Sequence, residues 1–340
     1  IQTSLVGSEM CIRDSWRANM AFSIEGKRIW VAGHRGMVGG AVCKRLEQES
    51  CEIITTRRDV VELTNQQAVH DWMLQVKPDA IILAAAKVGG IHANNTYPVD
   101  FLYENLMIEA NVIHAAHAAN VERLLFLGSS CIYPKLAAQP ISEKSLLTGE
   151  LEPTNEWYAI AKIAGLKLIQ AYRKQYSCDW ISAMPTNLYG PGDNYDLSSS
   201  HVLPALLRKF HEAKEKGDSE VVVWGSGSPL REFMHCDDLA DALIFLLKNY
   251  SEYEHINVGS GVEVSIRKLT ETIAEIVGYK ATLTWDKSKP DGTPRKLMDT
   301  SKLHSLGWNN CRSLSDGVSQ TYDEWITAQK QVPLNNIKFD

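Results

Sequence analysis

No apolar run in the chain approaches the ~20 residues that a membrane-spanning helix needs, so no segment reads as a span. Cys-x-x-Cys pairs are also missing. The 7 cysteines are scattered over 340 residues, which provides neither a disulfide framework nor a zinc site. That pattern describes free thiols in a cytoplasmic enzyme, with no metal expected. Neither sign of charge dominates: 35 basic against 41 acidic residues leave a net charge of −6, and no basic face offers itself to nucleic acid. Internal repeats and low-complexity tracts are absent too. What remains is a 44% hydrophobic chain of ordinary globular composition, long enough for two domains of roughly 100–200 residues each.

Residues 1–19 fit nothing that follows and read as an extension foreign to the fold, with Met20 as the native start. Arg28-Ile29-Trp30-Val31-Ala32 is a buried strand that runs into Gly33-His34-Arg35-Gly36-Met37-Val38-Gly39-Gly40 and then a helical pattern. Strand, glycine turn and helix form the setting of a dinucleotide fingerprint. The glycines let backbone approach a pyrophosphate, and the helix start offers free N–H groups. The spacing is Gly-x-x-Gly-x-x-Gly, and on its own such a turn can be ligand-free. The second strand, Cys51–Thr56, ends in Arg57-Arg58 where an NAD site usually carries an acid. With Arg35, these guanidiniums suit a 2′-phosphate, so NADPH is expected as cofactor; the bland alternative is a solvated loop with Asp59 pairing either arginine.

Asp79–Ala86 reads as the third strand, and residues 100–120 as a long helix with apolar residues on more than one face. The fourth strand ends abruptly in Leu127-Gly128-Ser129-Ser130-Cys131, which is how a parallel strand delivers polar groups to the carboxyl edge of a sheet. Tyr158 and Lys162 follow at i and i+4 on one helix face. A Ser, a Tyr and a Lys so arranged can polarise a carbonyl and hand it a proton. A fifth strand, Asp179–Met184, leads to Pro185-Thr186-Asn187-Leu188, a loop at the same edge that covers the nicotinamide. The alternation implies an α/β, Rossmann-type doubly wound parallel sheet over 20–192, with a smaller α/β substrate domain over 193–335, some of whose segments can return to the first. In that second part, Asp237 or Asp238 is expected to cap a helix over 239–247.

Gly-x-x-Gly-x-x-Gly together with Ser…Tyr-x-x-x-Lys resembles the extended short-chain dehydrogenase/reductase superfamily, from about Lys27 to near Gln331. Within it, the runs Gly128-Ser129-Ser130-Cys131-Ile132-Tyr133-Pro134 and Ser288–Lys296 are similar to those of the bifunctional epimerase-reductases acting on GDP-4-keto-6-deoxy-D-mannose. The resemblance implies a GDP-sugar as substrate and NADPH held by residues 33–39, Arg58, Leu127–Ser130, Lys162, Pro185–Leu188 and His201. It makes Cys131 the base and His201 the acid of epimerisation, and assigns Lys209, Trp224, Arg231 and Asp291 to the substrate. It also implies a homodimer through the helix over 100–120 and the helix bearing Tyr158.

The chemistry of such a substrate is coherent with these residues. A C4 ketone acidifies the protons on C3 and C5 alike, since either carbanion is an enolate. Tyr158 and Ser129 hydrogen-bonded to the C4 oxygen therefore serve two epimerisations and one reduction. An ammonium at Lys162 is expected to favour the phenolate and lower the Tyr158 pKa. Cys131, two residues past Ser129, faces the same side if the segment is extended. Taken alone, such a Cys is more often a core thiol and such a His more often a helix cap or surface residue, and Trp224 could be simple core. Two other functions stay open here: a hexose C4-epimerase or dehydratase retaining NAD, and a cofactor-binding sensor without catalysis.

Overall fold

A computed structural model describes residues 21–197, 199–289 and 291–331. The extension expected over 1–19, the start at Met20, Pro290 and the end of the second domain past 331 lie outside the described residues.

The chain opens with β1 (Arg28–Ala32), whose residues Ile29 to Ala32 are all buried. An unbroken apolar run of this kind belongs in a parallel sheet covered on both faces. There follow α1 (Met37–Leu46), β2 (Glu52–Ile54), α2 (Gln66–Val76), β3 (Ala80–Leu83), α3 (Ile91–Thr96), α4 (Pro98–Ala118), β4 (Arg123–Leu127), α5 (Glu156–Tyr176) and β5 (Asp179–Pro185). These strands pair in parallel in the order β2-β1-β3-β4-β5. The order reverses between β1 and β3, and open α/β sheets hold ligands at such a point, beyond the carboxyl ends of the strands. The doubly wound parallel sheet is therefore as expected.

The remainder comprises β6 (Asn187–Tyr189), α6 (Val202–Lys216), β7 (Glu220–Trp224), β8 (Leu230–His235), α7 (Cys236–Asn249), β9 (Ile256–Val258), β10 (Glu263–Ser265), α8 (Ile266–Val277), β11 (Thr282–Asp286), β12 (Arg295–Lys296), α9 (Ser301–Ser305) and α10 (Leu314–Gln331). Two of these segments join the first layer. β9 pairs with β5 as its sixth strand, and α7 packs on α1 beneath β4 and β5. The rest gathers around β8, flanked by β10, β12 and β6, and around the parallel pair β7–β11. A separate core of Leu207, Phe210, Leu269, Ile273 and their neighbours supports that part.

The structure departs from expectation at the start of α7. This helix begins at Cys236, and its N-cap is His235, whose Nδ1 accepts the Asp237 N–H at 3.2 Å. Neither aspartate caps it; Asp238 instead accepts hydrogen bonds from the Arg312 backbone at 3.0 Å and its Nε at 2.9 Å. Helix α2 and strand β8 carry no clear sequence signal. Only Val69 and Met73 of α2 are fully buried, and β8 is a central strand interrupted by Arg231 and Glu232.

Candidate active site

The glycine turn between β1 and α1 is shaped by close backbone approaches. Gly33 has φ +91°, and a Cβ there would lie 2.7 Å from the Ala85 nitrogen at the end of β3. A Cβ on Gly39 would lie 2.0 Å from the Gly33 carbonyl oxygen. No side chain caps α1 at Gly36, and no acid occupies its first turn. His34, Arg35, Met37 and Val38 surround this uncapped helix start, where free N–H groups and a positive dipole end face the sheet edge. A cradle that any side chain would fill, opening on an unneutralised helix terminus, fits a dinucleotide pyrophosphate. Around it stand Leu127, Gly128 and Ser130 at the end of β4, and Pro185, Thr186, Asn187 and Leu188 at the end of β5. Thr186 and Asn187 are fixed by donating to the Glu232 carbonyl, at 3.3 Å and 2.8 Å.

Both arginines after β2 have acidic partners close by. Arg57 pairs with Asp59 at 2.9 Å and Arg58 with Glu62 at 2.5 Å, all at the surface. Each guanidinium is already matched by a nearby acid, so a 2′-phosphate has to be drawn to arginines that carboxylates hold in place.

At the end of β4, Ser129 takes extended backbone and caps a single 3₁₀ turn, Ser130–Ile132. Its Oγ accepts the Cys131 N–H at 3.2 Å. The expectation that Cys131 lies on extended backbone is therefore incorrect. Local Ser capping competes with the strand and curls the chain. Even so, the turn leaves Cys131 beside the site: its charge acts on Tyr158, and Ser129 hydrogen-bonds the same phenol. The Cys131 Sγ lies 3.4 Å from Asn155 Nδ2 and 3.7 Å from Lys296 Nζ, in a small cleft also lined by Gln139 and Arg295. These contacts place Asn155 and Lys296 in the site, although neither was singled out individually. Lys296 closes the quoted run Ser288–Lys296, which was its available signal; Asn155, just before α5, carried none.

Lys162 is buried. Its Nζ donates to the Leu127 carbonyl at 3.1 Å and pairs with Glu109 Oε1 at 2.9 Å, each side chain only 2% exposed. It sits 5.8 Å from the Tyr158 ring centroid. The expected lowering of the Tyr158 pKa does not occur. Burial holds the phenol well above the ordinary tyrosine value, the charges of Cys131 and Glu109 push the same way, and only the Ser129 hydrogen bond opposes them. Burial is the main reason, and Glu109, which pairs with the ammonium, adds to it.

His201 is the N-cap of α6, and its side chain makes no cap hydrogen bond. Its ring reaches solvent, yet protein crowds it closely enough to lower its pKa, and the Lys296 charge lowers it further. The preceding loop is anchored where the Gly90 N–H donates to the Ser199 carbonyl at 2.8 Å, beyond β3.

The four expected substrate residues lie together in the second part. Trp224 ends β7 and is 59% exposed, so it is not a core residue. The ammoniums of Lys209 and Lys289 lie 5.2 Å and 5.3 Å from its ring centroid. Asp291 accepts the Ser226 N–H and hydroxyl, both at 2.7 Å, and its charge acts on Arg231. Around the turn between β7 and β8, α6, β7, β8 and the loop after β11 thus bring together cations, an exposed aromatic face and a carboxylate. That set suits a diphosphate joined to a flat base.

Fold and site together define a nicotinamide-dependent enzyme acting on a sugar carbonyl, and the chain belongs to the NAD dependent epimerase/dehydratase family, which it matches over residues 29–259. Several of the relatives it resembles are GDP-L-fucose synthases. It is 58% identical over 306 residues to GDP-L-fucose synthase of Sinorhizobium fredii, covering 90% of this chain and 98% of that one. The corresponding figures for GDP-L-fucose synthase of Escherichia coli are 55% over 313 residues, 89% and 98%. Among solved structures, a GDP-L-fucose synthetase from Naegleria fowleri bound to NADP superposes with a TM-score of 0.84 at 26% identity, covering 92% of this chain and 98% of that one. Among the described residues no helix is long and apolar enough to cross a membrane.

Proposed function

We propose that this chain is an NADPH-dependent GDP-L-fucose synthase, converting GDP-4-keto-6-deoxy-D-mannose to GDP-L-fucose by epimerisation at C3 and C5 and reduction at C4. The observation that carries the reading is the meeting of Ser129, Tyr158 and Cys131 at the carboxyl end of β4, on the rim of the glycine cradle. When bound, NADPH supplies the hydride for C4.

The residues divide the work by charge. Ser129 and Tyr158 donate hydrogen bonds to the C4 oxygen, which gains negative charge in each enolisation and in the reduction. Cys131, beside the phenol, removes the proton from C3 and, in the other epimerisation, from C5. His201, at the start of α6, returns a proton from the opposite side, which inverts each carbon. In the final step Tyr158 gives its proton to the C4 oxygen, and its raised pKa keeps that proton in place until then. Residues 33–39 hold the pyrophosphate, Arg58 the 2′-phosphate, and Leu127–Ser130, Pro185–Leu188, Lys162 and His201 enclose the nicotinamide end. Lys209, Trp224, Arg231 and Asp291 take the GDP moiety.

We also place the enzyme in the cytoplasm as a homodimer. Its six described cysteines are free. Val99 and Tyr103 of α4 and Trp157, Ile160 and Tyr176 of α5 stand exposed on two helices that pack side by side, and a second copy would bury them as a four-helix bundle. Incubation with GDP-4-keto-6-deoxy-D-mannose and NADPH, with the sugar identified by NMR, tests the activity: GDP-L-fucose is expected, and unaltered substrate with no cofactor oxidised rejects it.

A further inference from the structure

Glu109 has no part in the chemistry above, and its position is costly. It lies on α4, which packs on α5, and is 1% exposed. Among the described residues, neither of its carboxylate oxygens has a hydrogen-bond partner, and the Lys162 ammonium is its ion-pair partner. Room for it is made by Gly165, one turn past Lys162, where a Cβ would lie 2.4 Å from Glu109 Oε2 and 2.6 Å from the Phe126 ring. The ammonium in turn lies 5.0 Å from the Phe126 ring centroid and reaches the Leu127 carbonyl at the foot of the active-site strand. A buried carboxylate with one partner is retained at a cost in desolvation, and that partner sits beside Tyr158.

We propose that Glu109 is a positioning residue for the reduction: it pins the Lys162 ammonium against the end of β4 and balances its charge, so that Tyr158 remains a proton-bearing phenol. The groups whose charges act on Tyr158 are Cys131 from the 3₁₀ turn and Glu109 from α4, with Lys162 beside it on its own helix. The charge acting on Glu109 is that of Lys162. With Glu109 neutral, an unbalanced ammonium would face the phenol across a few ångströms of low-dielectric interior and favour the phenolate, which has no proton to give. Burial raises the Glu109 pKa while Lys162 pulls it back, as expected of a carboxylate whose charge rests on one partner.

This inference rests on the reading of Tyr158 as proton donor, and its test is arranged to separate the two. The full-length protein, free of cofactor and substrate, is titrated to alkaline pH while phenolate absorbance is followed. Each protein is measured against the same protein carrying Tyr158→Phe, so that only this phenol is counted. The wild type is expected to show no Tyr158 phenolate before alkaline unfolding. In Glu109→Gln the Tyr158 phenolate is expected to appear while the protein is still folded. Glu109→Asp, which keeps the charge, is expected to behave as wild type. Glu109→Gln combined with Lys162→Gln removes both charges, spares the site an unpaired ion where the single variant is too unstable, and is expected to restore the high value. An unshifted Glu109→Gln, or a double variant that does not recover, overturns the proposal. In turnover, the alkaline limb of NADPH oxidation should move with the same variant, and a loss equal at every pH overturns it as well. If Tyr158→Phe still reduces the ketone, the donor assignment fails separately, and the substrate-free titration is unaffected.

Discussion

At the residue scale, the site works because polar groups stand where an apolar strand stops. The stop itself was legible: Leu124 to Leu127 are apolar, and Gly128-Ser129-Ser130 are not. Tyr158 and Lys162 were legible through their i,i+4 spacing. Glu109 was not, because a single acid between Ile108 and Val112 reads as solvated until α5 is laid against it. The sign of the Tyr158 shift was misjudged because burial of the phenol, with the Cys131 and Glu109 charges pushing the same way, raises its pKa, and no local pattern reveals that burial. Cys131→Ser should reduce epimerisation by a factor on the order of 10² or more while leaving the phenol and the cofactor cradle in place. Exchange of the C3 and C5 protons with solvent measures it, and exchange at the wild-type rate would remove Cys131 as the base.

At the scale of elements, the sheet order and the glycine turn position everything else. β1 to β5 followed from apolar runs bounded by glycine and polar residues, whereas β8 did not, since Arg231 and Glu232 interrupt it for reasons set by its neighbours. Glu232 is wholly buried and accepts the Met298 N–H at 3.0 Å and the Gly261 N–H at 2.7 Å, tying two loops to the strand. Gly39→Ala should abolish cofactor binding and destabilise the protein by about 1–3 kcal/mol, because its Cβ would collide with the Gly33 carbonyl. Calorimetric titration with NADPH and thermal unfolding read the two effects. Gly165→Ala should cost a similar amount by displacing the Glu109 carboxylate and Phe126.

For the whole molecule, pH sets stability through histidines the fold buries in neutral form. His255, just before β9, hydrogen-bonds the Tyr133 hydroxyl at 2.9 Å, and burial lowers its pKa to about 4. The unfolded chain therefore binds the extra proton first as pH falls. The stability that His255 confers is present above about pH 6.5 and drains away toward about pH 4, amounting to roughly 3 kcal/mol. Thermal unfolding across that window should show the loss, and His255→Gln should flatten it. Assembly belongs to this scale too: Tyr103→Glu with Ile160→Glu should convert the dimer to monomer, read by light scattering, and wild-type protein that already runs as a monomer would reject the four-helix interface.

The central claim is that one oxygen-gripping pair serves both epimerisations and the reduction. Turnover of GDP-4-keto-6-deoxy-D-mannose with NADPH in heavy water, compared by NMR between wild type and Tyr158→Phe, tests it most directly. The wild-type product should carry solvent deuterium at C3 and C5 and reduced carbon at C4, and the variant should be slowed at all three positions. Deuterium entering both carbons at the wild-type rate in a variant that cannot reduce C4 would contradict it.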